Sequence, residues 1–356
     1  MFNPMVQIGD RMVGRDYPVF IIAEAACNHE CDMDIAKEMI VKAKKAGADA
    51  IKFQTYKAEL LVSGKAKAYW KDEDMLQIDY YKQLDKFGKE HYAELFEFAK
   101  EQGIIAFSTP FDLQSASMLA ELGVPVMKVA SCDMTNLGLL YHVCSFGLPV
   151  IASTGGGTVA SVANGLAVIR HMNVPCVLMG CVLQNPAPLP RLNRIHVLHE
   201  SFGDIVVGYS DHTPPDQLDV PMLAVAAGAR VYEKHFTIDK TMKVSNHFFA
   251  ADPLEFAHMV QAIRRAEVLL GSWSFERSEA EAKAFDAATR SWHMRLPIKK
   301  GETFTEQHVK YIRPGTGLQF NEARLIIGGT ATRDIEEDEM LEKGDYECSS
   351  EANQNQ

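Results

Sequence analysis

Short apolar runs alternate along the chain with longer stretches in which apolar residues recur every three to four positions. The runs Val19–Glu24, Asp49–Gln54, Ile104–Ser108, Val126–Ser131, Val150–Thr154, Cys176–Cys181, Ile205–Ser210 and Arg230–His235 predict eight strands. Several are apolar at consecutive positions, as strands covered on both faces of a parallel sheet should be. Between them, Tyr92, Leu95, Phe96 and Ala99 share one helical face, as do Phe256, Met259, Val260 and Ile263. Gly47, Gly103, Gly123 and Gly228 fall where a helix should stop before the next strand. Eight strand–helix units in about 270 residues predict an α/β fold, a (β/α)8 TIM barrel. An open, doubly wound sheet is the alternative, because strand count alone does not close a sheet.

Two segments break the alternation. Leu60 to Phe87, rich in Lys, Asp and Tyr, predicts a long loop with helical pieces on the active-site side. Trp273 to Thr289 is charged and alanine-rich and predicts a helical or extended connector. From Arg290 onward the texture changes to short strands and turns. The expected division is a barrel over 1–272, a linker over 273–289, a small β domain over 290–348 and a disordered tail over 349–356.

Charge narrows the function. The 36 Lys and Arg against 47 Asp and Glu leave a net charge of -11 over 356 residues, which argues against nucleic acid as a partner. An anionic substrate would need locally placed cations. No run approaches the roughly 18 apolar residues of a membrane span, and the N-terminus has no signal-peptide pattern. Seven cysteines, with no CxxC…CxxC arrangement, fit reduced thiols in the cytoplasm better than disulfides or a zinc finger.

In a β/α barrel the chemistry sits at the C-terminal strand ends, and here those ends are polar. They carry Glu24 and Asn28-His29-Glu30, Lys52 and Gln54, Ser108-Thr109, Lys128 with Ser131 and Asp133, Ser153, Ser210-Asp211-His212, and Glu233-Lys234-His235. A single barrel lysine is usually paired with a carboxylate. Lys52 and Lys128 together, beside Ser131, Ser153 and the Gly155–Gly157 turn, point to an anion site. His212 and His235 end adjacent strands, each near a carboxylate, which suits a divalent metal as well as it suits two structural histidines.

Taken in order, these motifs resemble the sialic acid synthase family, which condenses phosphoenolpyruvate with an amino sugar. The carrying segments are Ile22-Ala-Glu24 with Asn28-His29-Glu30, Ile51-Lys52-Phe-Gln54-Thr55, Phe107-Ser-Thr-Pro-Phe111, Lys128-Val-Ala-Ser131, Ser153-Thr-Gly155, Gly208-Tyr-Ser-Asp-His212-Thr and Glu233-Lys-His235-Phe. Ile298-Lys-Lys-Gly301-Glu302 and Ile312-Arg313-Pro314-Gly315 are similar to the family's small antifreeze-like (SAF) domain.

The resemblance implies that Lys52, Lys128, Ser131 and Ser153, with Thr109, Ser210 and Gln54, hold phosphoenolpyruvate and its partner substrate. It implies Mn²⁺ or Mg²⁺ on His212 and His235, proton handling by Glu24 and Glu233, and Asp133 in place of a family glutamate. Arg313 would reach across a domain-exchanged homodimer to the partner's sugar site.

Three departures lie on the sugar side. The family's usual His-Cys-Thr-(Ser or Asn)-x-Tyr-Pro at the end of strand six reads Gly180-Cys181-Val182-Leu183-Gln184-Asn185-Pro186. Asp133 is one methylene short, and the Gly-Pro-Asp-His loop after strand eight reads Val244-Ser245-Asn246-His247. The expected acceptor is N-acetylmannosamine or a related amino sugar, with a diamino-dideoxy or a phosphorylated sugar as alternatives. A catalytically silent carbohydrate-binding relative is the reading from another class.

Overall fold

In the computed structural model, which describes residues 4–68, 70, 75–322 and 326–348, the first and last of the eight expected strands pair with each other. Preceding them is an unforeseen antiparallel hairpin of β1 (Met5–Ile8) and β2 (Arg11–Gly14). The eight are β3 (Phe20–Ala26), β4 (Ala50–Thr55), β5 (Ile105–Pro110), β6 (Met127–Val129), β7 (Val150–Ser153), β8 (Cys176–Cys181), β9 (Val206–Asp211) and β10 (Val231–His235). The β3–β10 ladder runs parallel from Phe20↔Val231 to Glu24↔His235. That pairing, with β5 packed beside β6, curls the sheet into a near-closed barrel in place of the open alternative. Around the ring only β5 and β6 are neighbours without a hydrogen-bonded ladder.

Every residue of β3, β8, β9 and β10 is buried, which is why these segments lack the alternation of a half-exposed strand. Outside the barrel lie helices including α4 (Lys89–Glu101) and α10 (Pro253–Leu270). α4 buries Tyr92, Leu95 and Ala99; α10 buries Phe256, Met259, Val260 and Ile263. α10 begins at a capping box, with Asp252 accepting from the Leu254 and Glu255 amides and Pro253 at the first helical position. The four helix-ending glycines all take positive φ.

Strand ends differ from expectation by a residue or two. β6 is shorter than expected and stops at Val129 because Ser131–Asp133 curls into a 3-10 turn. In the insertion after β4, Ala58–Leu61 and Gln77–Leu84 are helical. Tyr56, Tyr80 and Tyr81 gather there with Trp70 and Phe111. Residues 69 and 71–74 of the insertion lie outside the described residues.

The chain divides into two compact units, Met1–Ser272 and Trp273–Gln356. The second begins with the connector, where Glu279–Ala288 is a helix capped by Ser278 and Glu281. Two short antiparallel ladders follow, Ser291–Met294 with Val309–Ile312 and Thr330–Ala331 with Tyr346–Glu347. Its own core includes Met294, Ile298, Phe304, Val309, Ile335 and Leu341. The expected tail over 349–356 lies outside the described residues.

Candidate active site

Strand register brings the polar strand-end residues into one layer. Glu24 pairs with both Lys52 and His235 across the adjacent ladders, and Ser210 pairs with both Cys181 and Glu233. Because side chains alternate along a strand, Glu233 and His235 share one face while Tyr232 and Lys234 take the other. The second face is a structural network: the Tyr232 hydroxyl donates to Asp211 at 2.7 Å and the Lys234 ammonium to Asp211 at 2.6 Å. Asp211, beside His212 in sequence, therefore belongs to this network.

Glu24, Lys52 and Glu233 form the centre. Lys52 Nζ lies 2.5 Å from Glu24 Oε2, 3.7 Å from Glu233 Oε2 and 2.9 Å from the Thr109 hydroxyl. Gln54 donates to Glu24 Oε1 at 3.0 Å, and the Ser210 hydroxyl donates to Glu233 Oε1 at 2.9 Å. Glu233 Oε2 is buried without a hydrogen-bond donor. Burial pushes the Glu24 carboxyl up to about 7, against the opposing pull of Lys52. Burial also acts to raise Glu233, but Lys52, Lys128 and Ser210 outweigh it and hold this carboxyl below its ordinary value. One glutamate is thus a proton holder near neutrality and the other a carboxylate.

Lys128 is different. It is 3% exposed, and its ammonium donates only to neutral acceptors, the Ser153 hydroxyl at 2.7 Å and the Val129 carbonyl at 3.1 Å. Among the described residues it makes no ion pair within 4 Å, and burial lowers its pKa. Glu233 and Glu24 act on it only from beyond ion-pair distance, and a buried cation without a direct ion pair is a costly arrangement that an anion relieves. Beside it, the Gly155 amide donates to the Ser131 hydroxyl at 3.0 Å. A Cβ on Gly155 would stand 2.9 Å from that hydroxyl and 3.0 Å from Cys181 Sγ, so only glycine lets the loop approach so closely.

His212 and His235 have ring centroids 5.2 Å apart. His212 Nδ1 is 3.0 Å from the Val182 carbonyl, which can only accept, so Nδ1 carries a proton and Nε2 is the nitrogen left for a ligand. His235 Nδ1 is buried without a partner, and burial pulls its pKa well below the ordinary imidazole value. Burial acts the same way on His212, but Cys181 and the Val182 carbonyl outweigh it and hold this ring above the ordinary value. Two nitrogen donors with a free lone pair suit a divalent cation. Among the described residues no group of three or more His, Cys, Asp or Glu side chains forms a complete ligand set, so such a cation would keep open positions.

Two candidates stand apart. Asp133, in the turn after β6, accepts from the Asn136 side-chain amide at 3.3 Å and makes only local contacts. Arg313 is exposed in the second unit, on a turn fixed by the Ser291 hydroxyl, which donates to the Pro314 carbonyl at 2.6 Å. A Cβ on Gly315 would stand 1.9 Å from the Thr289 hydroxyl, which explains the glycine after the proline.

Cys181 was not among the residues expected to act, yet it is 1% exposed in the polar layer with Sγ 3.5 Å from His212 Nδ1. Its position at the end of β8, paired with Ser210 and two residues after Met179 on the same face, was the available signal. Asn28 and Glu30 were quoted only as motif. Asn28 donates to the Phe236 carbonyl at 2.9 Å and accepts from the Asn246 amide at 3.2 Å. Glu30 accepts from the Val244 amide at 3.1 Å. These bonds clasp the loops that follow β3 and β10, the strands bearing Glu24 and His235.

The family profile described as NeuB family matches residues 39–275. The chain belongs to the NeuB family. The N,N'-diacetyllegionaminic acid synthase of Legionella pneumophila is 36% identical over 90% of this chain and 93% of its own. The pseudaminic acid synthase of Campylobacter jejuni is 33% identical over 96% of this chain and 100% of its own. Among solved structures, the N-acetylneuraminic acid synthetase of Leptospira borgpetersenii, in complex with citrate, superposes with a TM-score of 0.73 at 33% identity, covering 80% of this chain and 95% of that one. The resemblance to sialic acid synthases therefore holds, and this member of the family is a synthase-type transferase. No helix among the described residues is long and apolar enough to cross a membrane.

Proposed function

We propose that the protein condenses phosphoenolpyruvate with the open-chain aldehyde of an amino sugar, giving a nonulosonic acid and inorganic phosphate. The observation that carries this reading is Lys128, a buried ammonium whose only close partners are a hydroxyl and a carbonyl. Lys128, Ser153 and Ser131 receive the phosphate, and Lys52 with Thr109 receives the carboxylate. In the first step the enol carbon bonds to the aldehyde carbon, whose oxygen takes up a proton. Glu24, held near neutrality, supplies that proton. Water then adds to the resulting oxocarbenium centre and phosphate leaves with its bridging oxygen. Glu233, a carboxylate with one oxygen lacking a donor, takes the proton of the water.

His212 and His235 would hold a divalent cation, Mn²⁺ or Mg²⁺. Such an ion supplies a Lewis acid toward the sugar aldehyde. Arg313 is proposed to act in a domain-exchanged homodimer. Exposed Leu269, Leu270 and Phe275, at the end of α10 and in the connector, support association of subunits.

A diamino-dideoxy acceptor is favoured over N-acetylmannosamine by one further feature. Leu183 is 54% exposed and stands against the Gly155–Gly156 turn, giving that wall no hydrogen-bonding side chain. A sugar with a methyl in place of a hydroxyl loses least there. The legionaminic and pseudaminic acid synthases among the relatives agree with this choice. Phosphate release from phosphoenolpyruvate, measured with a panel of amino sugars, tests the reading. Absence of sugar-dependent release with every acceptor would overturn it.

A further inference from the structure

We infer that Cys181 is a positioning residue that ties the phosphate-binding turn to the imidazole pair, its thiol packing against Gly155 beside Ser131 and touching His212. The inference rests on the proposed roles of those two side chains. β8 carries Cys181 into the polar layer opposite Ser210, where it is buried and reaches no solvent. On one side its Sγ lies 3.5 Å from His212 Nδ1, the ring nitrogen that also donates to the Val182 carbonyl at 3.0 Å. The proton on Nδ1 is therefore shared between two acceptors from consecutive residues of one strand end, which fixes the tilt of the ring as well as its tautomer. On the other side Cys181 Sγ and Ser131 Oγ both pack against Gly155, and the Ser131 oxygen receives the Gly155 amide at 3.0 Å.

The three groups converge on one spot. A Cβ on Gly155 would meet Ser131 Oγ at 2.9 Å, Cys181 Sγ at 3.0 Å and the Leu183 amide at 3.1 Å. Ser131, Gly155, Cys181 and His212 thus follow one another from the anion side to the cation side, with Gly155 between the hydroxyl and the thiol. A thiol suits the middle position. It is large enough to touch both neighbours from β8, and it can accept weakly from an imidazole and a hydroxyl at once. Serine keeps this capacity with a shorter reach. Alanine and valine lack it, and valine refills the space.

The test compares full-length wild type with C181A, C181V and C181S. Mn²⁺ affinity is followed by the electron paramagnetic resonance of the free ion, and phosphoenolpyruvate affinity without metal by calorimetry. The expected result is that C181A and C181V weaken Mn²⁺ by about tenfold or more, as loss of a group orienting a metal-binding imidazole does. Both should also weaken phosphoenolpyruvate by about fivefold, the effect of one neutral hydrogen bond. C181S should recover most of each loss. Should C181A fold poorly, C181V carries the same comparison. Unchanged affinities in C181A and C181V, or a loss confined to one ligand, would overturn the inference. A sulfur-to-metal charge-transfer band in the Co²⁺-loaded wild type would overturn it too, by making Cys181 a ligand. A wild type that binds no Mn²⁺ sinks the cation reading itself, a result distinct from equal binding by all four proteins.

Discussion

Glu24 and Lys52 occupy directly paired positions on β3 and β4, and their charged ends meet at 2.5 Å inside the barrel. Lys52 also lies 3.7 Å from Glu233, so it compensates two buried carboxyls. Removing it takes away the direct ion pair of Glu24 and leaves Glu233 to Lys128 and Ser210. Lys52→Met is expected to lower stability by about 3–5 kcal/mol, the usual penalty for breaking a buried pair. Adding Glu24→Gln should recover part of that loss without recovering turnover. Urea unfolding of the single and double variants checks this, and strictly additive losses would count against the pairing.

Lys128→Met should behave differently. No carboxylate pairs directly with its ammonium and Glu233 acts on it only at a distance, so replacing it removes a costly buried charge and should change the thermal midpoint far less than Lys52→Met does. Phosphoenolpyruvate binding should weaken by about 10–100-fold, matching about 1.5–3 kcal/mol for a charge-assisted contact. Calorimetry with phosphoenolpyruvate decides; wild-type affinity would move the anion site elsewhere.

Glu24 links stability to pH. Its carboxyl is pushed up from 4.5 to about 7, so the folded protein holds a proton that the unfolded chain releases earlier. That contribution is complete below the unfolded value and is lost as pH rises through about 7. Relative to Glu24→Gln, wild type should lose several degrees of melting temperature between about pH 5 and pH 8. A difference that stays flat across this range would show that the carboxyl titrates normally.

A chelator should abolish turnover, and Mn²⁺ should restore it. His212→Ala and His235→Ala should each lower Mn²⁺ affinity by about 10–100-fold or more. Because His212 is held above the ordinary imidazole value, the ion must displace a proton, and binding should weaken as pH falls below neutrality. Full activity in metal-free protein would remove this role from the pair.

Arg313→Ala should lower kcat/KM for the sugar by about tenfold or more while phosphoenolpyruvate binding and barrel stability stay as in wild type. Mixing it with Lys52→Ala subunits should rescue part of the activity, because one site in the hybrid is intact. Failure of rescue after demonstrated subunit exchange would argue against a shared site.

The barrel was legible because Phe20–Ala23 and Cys176–Met179 are apolar at every position, which fits no half-exposed element. Closure was not, since only the ladder from Phe20↔Val231 to Glu24↔His235 decides it. The hairpin at Met5–Gly14 escaped notice because each arm is four residues long, although Gly9-Asp10 is a turn signal. In the site, Lys52 and Lys128 read alike in sequence as cations on nearby strands. Geometry separates them into a lysine with a direct ion pair and one without. Cys181 was hidden for another reason: its significance lies in three groups brought together by β6, β7 and β9.

The closing ladder also constrains how the protein is made. Residues 20–24 leave the ribosome long before 231–235, the strand that completes them. Until then β3 has an unpaired edge, and these largely buried strands must be kept from pairing with other chains. A nascent chain stalled between β9 and β10 would hold two unjoined ladders, β3 to β5 and β6 to β9, with their apolar margins unpaired. Synthesis of this enzyme therefore has a late commitment point, after about two-thirds of the chain, before which holdase chaperones are needed and after which contacts distant in sequence complete the fold.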